Sequence, residues 1–174
     1  MTTTRVRAPH RRTLLALGVG LCTAASMALA GSCTVSSSGL AFGAYQPLTF
    51  GGGLTSVDVT STATVSVACA DIVTGGSYTI SLGAGNYGPG NRISTRYLNN
   101  TSNGGDPMAF NVFTDAGYTT VWGDGSTGSL LDGTIATGDS NLSHTAYGNI
   151  PAGQNTLKAG SFFDSLTMTL TYTP

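Results

Sequence analysis

The chain of 174 residues has no glutamate, one lysine and one tryptophan, and only 9% of it is charged. That scarcity excludes several function classes. Nucleic-acid binding depends on clustered Lys and Arg, yet beyond residue 30 the cations are Arg92, Arg96 and Lys158 alone. General acid–base chemistry is poorly equipped, because His144 is the one histidine of that region. Asp139, His144 and a serine are the only visible makings of a triad, and no serine sits in a G-x-S-x-G elbow. A zinc centre of His and Cys ligands would need more of both. Asp124, Asp132 and Asp139 share a Gly-rich stretch, but their spacing is not that of a calcium loop. No catalytic residue, metal or cofactor is expected, and the chain reads as a non-enzyme.

What is present begins with the N-terminus. Arg5, Arg7, Arg11 and Arg12 precede an apolar run, Leu14 to Leu29, that closes on Ala28-Leu29-Ala30. This is the three-part pattern of a secretory signal peptide over residues 1–30. A membrane-spanning helix is the rival; it needs about 20 apolar residues, and this run is shorter and broken by Thr23 and Ser26. Residues 31–174 then form one domain with three cations against eight aspartates, a net charge of −5. Export also bears on the cysteines. Cys22 leaves with the leader, and Cys33 and Cys69 form an even pair in an oxidising compartment, with two buried thiols as the alternative. A bridge requires the N-terminal strand to lie beside the strand ending at Cys69.

Hydrophobic alternation of period two runs through the rest. Val57, Val59, Ala63, Val65, Val67 and Cys69 share one parity, and a bulge is expected near Ser61. Tyr78, Ile80 and Leu82 mark a second strand; Met108, Phe110 and Val112 a third; Thr119–Trp122 a short fourth; Ser143–Tyr147 a fifth. Phe162, Leu166, Met168, Leu170 and Tyr172 face one way on a long last strand interrupted by Asp164. Gly and Asn clusters separate these segments. The pattern indicates an all-β sandwich. Residues 83–88 and 123–128 each match G-x-G-x-x-G, but a nucleotide site needs a helix directly afterwards, and none is expected. Asn99, Asn100 and Asn141 begin glycosylation sequons, which carry little meaning alone. Tyr118 and Trp122 are candidate loop aromatics for a carbohydrate; burial in the core is the alternative for Trp122.

Several segments stand in a telling order: Cys33-Thr34-Val35, Leu40-Ala41-Phe42-Gly43-Ala44-Tyr45 and Val65-Ser66-Val67-Ala68-Cys69. Tyr78–Leu82, Arg92, Phe110–Asp115 and Val121–Gly125 follow, then Tyr147–Gln154 and Ala159–Leu170. Taken together and in this order, they resemble the spore coat protein U domain family. The resemblance implies a coat protein of bacterial spores or a subunit of Csu-type archaic chaperone–usher pili. It implies an immunoglobulin-like β-sandwich lacking its last strand, stapled by one disulfide. It implies as partners a periplasmic chaperone, an usher and sister subunits. The physics is strand addition to an open edge. Phe162, Leu166, Met168, Leu170 and Tyr172 are then the expected donor-strand groove.

The reading is therefore a secreted structural subunit of a surface fibre or spore coat, passing through the periplasm, with no nucleic acid and no stable membrane span. A surface adhesin using Tyr118 and Trp122 is the alternative. A cut after Ala30 leaves Gly31-Ser32 before Cys33, too short to complement a groove. The subunit is thus expected to accept a donor strand without giving one by that route, as a tip or terminal subunit would.

Overall fold

Strict alternation of small β-branched and apolar residues with Thr and Ser makes β2 (Val59–Ile72) the longest strand, and Ala63, Val65, Val67 and Cys69 are buried along one face of it. The computed structural model describes residues 31–48, 55–90 and 92–174, and no described residue is helical. The signal-peptide expectation lies outside the described residues. The other strands are β1 (Ser32–Ser37), β3 (Gly76–Leu82), β4 (Arg96–Asn100), β5 (Met108–Phe113), β6 (Leu131–Ile135), β7 (Gly138–Ile150), β8 (Phe162–Phe163) and β9 (Met168–Thr173). One sheet has the order β1-β2-β7-β5-β4-β8 and the other β6-β3-β9. Every pairing is antiparallel. The inward residues of β2, β5 and β7 meet Tyr78, Ile80 and Leu82 of β3 and Leu131 and Ile135 of β6 in a single apolar cluster. This is the expected all-β sandwich.

The N-terminal strand lies where the cysteines required it. Cys33 and Cys69 are directly opposite in the β1–β2 register. They are bonded to each other, with Cα atoms 4.1 Å apart.

Four details differ from the alternation. Val57 precedes β2 and is 59% exposed. The irregularity of β2 falls between Cys69 and Ile72, not near Ser61. There Asp71 takes a φ of 56°, a conformation Asp tolerates better than most residues, and its N–H donates to Asp139 Oδ1 at 3.1 Å. Thr119–Trp122 makes only isolated bridges, Phe113 with Val121 and Trp122 with Ser129. The Asp115 carboxylate takes the N–H groups of Gly117, Thr119 and Thr120, so a loop wins over a strand. The last strand is two pieces in two sheets: β8 pairs with β4, and β9 pairs with β3.

Asp164 explains that switch. Its carboxylate accepts the Asn86 side-chain N–H at 2.9 Å and the Ser165 N–H at 2.8 Å. The alternation breaks at Asp164 because its side chain anchors the crossover between sheets. A second polar device extends β7. Past its end, the Gln154 amide accepts from Ala109 N at 2.7 Å and donates to Ala109 O at 2.9 Å. One side chain thereby replaces a strand residue beside β5.

The disulfide closes a loop of 36 residues, which by chain entropy is worth roughly 3 to 4 kcal/mol. Replacing Cys33 and Cys69 with Ala together should lower the unfolding free energy in denaturant by that amount. An unchanged midpoint would show that the bridge constrains nothing.

Candidate functional site: an open apolar groove

After Ser37 the chain leaves the ladder with β2 and continues as a rim, residues 38–48, that carries no strand pairing. The departure is stepwise. Ser38 N still donates to Thr64 O at 3.0 Å, but Thr64 N donates to the Ser38 hydroxyl and not to its carbonyl. Gly39 then adopts a φ of 76°, which glycine takes without strain. Beyond it Leu40 and Phe42 turn inward over Gly148, where a Cβ would come within 2.7 Å of the Phe42 ring. Phe42 also meets Phe110 edge-on, with centroids 6.0 Å apart. The Tyr45 hydroxyl ties down the far end, donating to Pro151 O at 2.8 Å and accepting from Gln154 N at 3.1 Å.

Across from this rim runs the segment from Leu157 to Met168. Between the two lies a cavity of about 1120 Å³. Leu40, Phe42 and Tyr45 form one wall, and Leu157, Phe162, Leu166 and Met168 the other. Ala63, Leu82, Met108, Phe110, Val112, Trp122, Ala146 and Ile150, all members of the core cluster, form the floor, with the half-buried Leu98 packed against them. The core is thus open along one side. β9 has β3 as its single sheet neighbour among the described residues, so its other edge carries no ladder. Leu40 and Phe42 likewise have no backbone hydrogen-bond partner among the described residues. The groove is bounded by an apolar floor, by the rim on one side and by the segment from Leu157 to Met168, which leads into β9, on the other.

Arg96 holds the floor in place. It is fully buried on β4. Its Nη2 donates to Leu82 O at 2.9 Å and Trp122 O at 2.8 Å, its Nη1 to Asn111 Oδ1 at 2.7 Å and its Nε to Gly83 O at 3.1 Å. Burial pushes the guanidinium pKa down to about 10, opposed by the charges of Asp124 and Asp164. It stays charged at neutral pH and ties β3, β5 and the Trp122 bridge together. The resemblance pointed to Arg92, but Arg96 is the arginine built into the core. Replacing Arg96 with Met would strip donors from three carbonyls and from Asn111, and should destabilise the domain by roughly 3 kcal/mol or more. A loss below about 1 kcal/mol in denaturant titration would contradict this role.

The structure places the sequence-predicted residues unequally. Phe162, Leu166 and Met168 line the groove. Leu170 and Tyr172 lie further along β9, opposite Ile80 and Tyr78 of β3, and pack on the core outside the groove lining. Leu40, Phe42, Tyr45 and Leu157 are wall residues that alternation alone did not single out. Trp122 is only 2% exposed and its Nε1 donates to Ile80 O at 2.9 Å, so it offers no loop platform. Tyr118 is half-buried, edge-on to Phe113 and Tyr147 with centroids 5.7 and 6.4 Å away.

His144 is half-buried on β7, an interior strand, and its Nε2 lies 2.6 Å from the Tyr78 hydroxyl across the two sheets. Its position is neither exposed nor at a sheet edge. Asp139, five residues away on the same strand, points to the opposite face, so the two do not form a triad. Among the described residues no three His, Cys, Asp or Glu side chains gather as metal ligands. Asn100, the start of one sequon, is buried and accepts from Ser102 N and Asn103 N.

Two carboxylates make stability depend on pH in acid. Desolvation raises the Asp115 pKa, but the N–H groups of Thr120 and Thr119 and their hydroxyls outweigh it and hold the carboxyl below its ordinary value. The Thr127 and Ser126 N–H groups do the same for Asp124, against desolvation and helped by the Arg96 charge. A folded-state pKa below the unfolded one means that the unfolded chain binds more protons as pH falls. The stabilisation is therefore complete well above pH ~4 and disappears as pH drops through the folded values. Denaturant midpoints should fall below pH ~4, and the fall should be shallower in Asp115→Asn.

The Spore Coat Protein U domain matches residues 20–169, and the chain belongs to that family. No curated protein matches. Among solved structures the chain is similar to the CsuC-CsuE chaperone-tip adhesion subunit pre-assembly complex from archaic chaperone-usher Csu pili of Acinetobacter baumannii. That likeness has 17% identity and a TM-score of 0.44, over 81% of this chain and 40% of the other. The chain thus spans less than half the length of that neighbour.

Proposed function

We propose that this chain is an exported structural subunit of a bacterial surface fibre, completed by an extended strand from outside the domain. The observation that carries this reading is the groove: an apolar floor between the rim and the segment that leads into β9, with no strand pairing on the rim or on the outer edge of β9 among the described residues. A strand laid there would pair its main chain with an edge and insert alternate side chains into the floor, the physics of β-strand addition. Left open, the same edge is an aggregation hazard, which gives a periplasmic chaperone its role before an usher and sister subunits replace it. The basic, apolar and small-residue pattern of residues 1–30 supports export through the periplasm to the surface. No helix among the described residues is long and apolar enough to cross a membrane.

A structural role is also supported by how the chemically capable side chains are used. His144 is bonded to Tyr78, Asp139 to the β2 bulge and Asp124 to its own turn. The adhesin alternative loses Trp122 to the core, which leaves the fibre reading the better supported of the two.

The test is self-complementation. The mature domain would be extended beyond Pro174 by a flexible linker and an alternating apolar strand taken from a sister subunit's N-terminus. Thermal unfolding should rise by about 10 °C or more over the unextended domain. A stable domain whose midpoint ignores the added strand would point instead to a self-sufficient coat component.

A further inference from the structure

The rim runs beside β2 but is not attached to it as a strand. Thr64 turns its N–H and C=O toward β1. By the alternation of a strand, Ser61 then turns its own toward β7, where it lies opposite Gly148. Only the Ser61 hydroxyl is left for the rim, and it takes both halves of one residue: it accepts from Ala41 N and donates to Ala41 O, each at 3.0 Å. In the β1–β2 register, continued past Ser37, Ala41 would stand opposite Ser61 with its N–H and C=O turned away from β2. They are instead turned toward β2. The backbone has rotated after Gly39, so that Leu40 and Phe42 send their amide groups to the other side, where they have no partner among the described residues.

We propose that Ser61 is a positioning residue for strand uptake: its hydroxyl fixes the rotated rim, so that Leu40 and Phe42 present a main-chain edge to the groove, across from the wall of Leu157, Phe162, Leu166 and Met168. This rests on the fibre reading and adds a residue-level determinant to it. An incoming strand is held between the rim and the segment that leads into β9 at Met168, and the rim is competent only while Ser61 holds Ala41. Ser61 touches no occupant itself. Gly39 supplies the freedom to rotate, since no atom lies within 4 Å of a Cβ built there and only its positive φ resists substitution.

Uptake of a sister-subunit strand peptide by the mature domain can be followed through Trp122, the single tryptophan, which lies in the groove floor. Ser61→Ala, which loses both hydrogen bonds to Ala41, should take up peptide about tenfold more weakly. Ser61→Thr, which keeps the hydroxyl, should bind as the parent does. Peptide uptake should also slow hydrogen exchange at the Leu40 and Phe42 amides in the parent and not in Ser61→Ala. Thermal unfolding without peptide checks that both variants fold; should Ser61→Ala fail to fold, Gly39→Ala provides the second variant, and it too should weaken uptake. Parent-like uptake by the folded Ala variant, or a complex in which the Leu40 and Phe42 amides stay unprotected, would overturn the role of Ser61. A parent that takes up no peptide at all would overturn the fibre reading itself.

Discussion

Main-chain groups beside a core need partners, and two edges of this domain have none among the described residues. Everything around the groove follows from that constraint. Among the described residues β9 pairs with β3 on one side only. The rim leaves β2 at Gly39, where a positive φ redirects it across the inner face of β7. Phe110, Met108 and Val112 are themselves buried, yet they face a cavity of about 1120 Å³ that no described strand fills. Side-chain packing and backbone pairing are both left incomplete at one place among the described residues, and an extended strand supplies both.

The chain compensates for its poverty in charge with side chains that act as backbone. Gln154 stands in for a strand residue beside Ala109, and Ser61 holds both polar groups of Ala41. Asp115, Asp124 and Asp164 each collect N–H groups of a loop. Arg96 serves the carbonyls of Leu82, Gly83 and Trp122. Such bonds fix geometry around the groove without strand pairing, and so leave the edges free for a partner. The disulfide between Cys33 and Cys69 secures β1 just before the rim departs, so the rim starts from a fixed point.

Strands whose inward residues are apolar were legible from alternation: β2, β3, β5 and the core of β7. β4 was not, because Arg96 and Asn100 occupy inward positions and only their hydrogen bonds make burial affordable there. β6 was hidden by Gly133, which sits opposite the large Tyr78 and leaves only Leu131 and Ile135 as signal. Asp164 was read as an interruption of one strand when it marks a change of sheet. Half of the groove was legible for the same reason: Phe162, Leu166 and Met168 alternate plainly. Leu170 and Tyr172 continue that alternation, but on a piece of chain that faces β3 and the core. The opposite wall, Leu40, Phe42 and Tyr45, stands on a segment without strand pairing, where period and burial are decoupled and only family resemblance flagged the residues.

The most direct test of the central claim is amide hydrogen exchange along β9 in the isolated mature domain and in its complex with a sister-subunit strand. Half of the β9 amides face β3 and should be protected in both. The alternate amides, on the outer edge, should exchange quickly alone and become protected in the complex, as a new ladder requires. Outer-edge amides that are already protected in the isolated domain, or that stay fast when the peptide is bound, would show that the groove is not a strand acceptor.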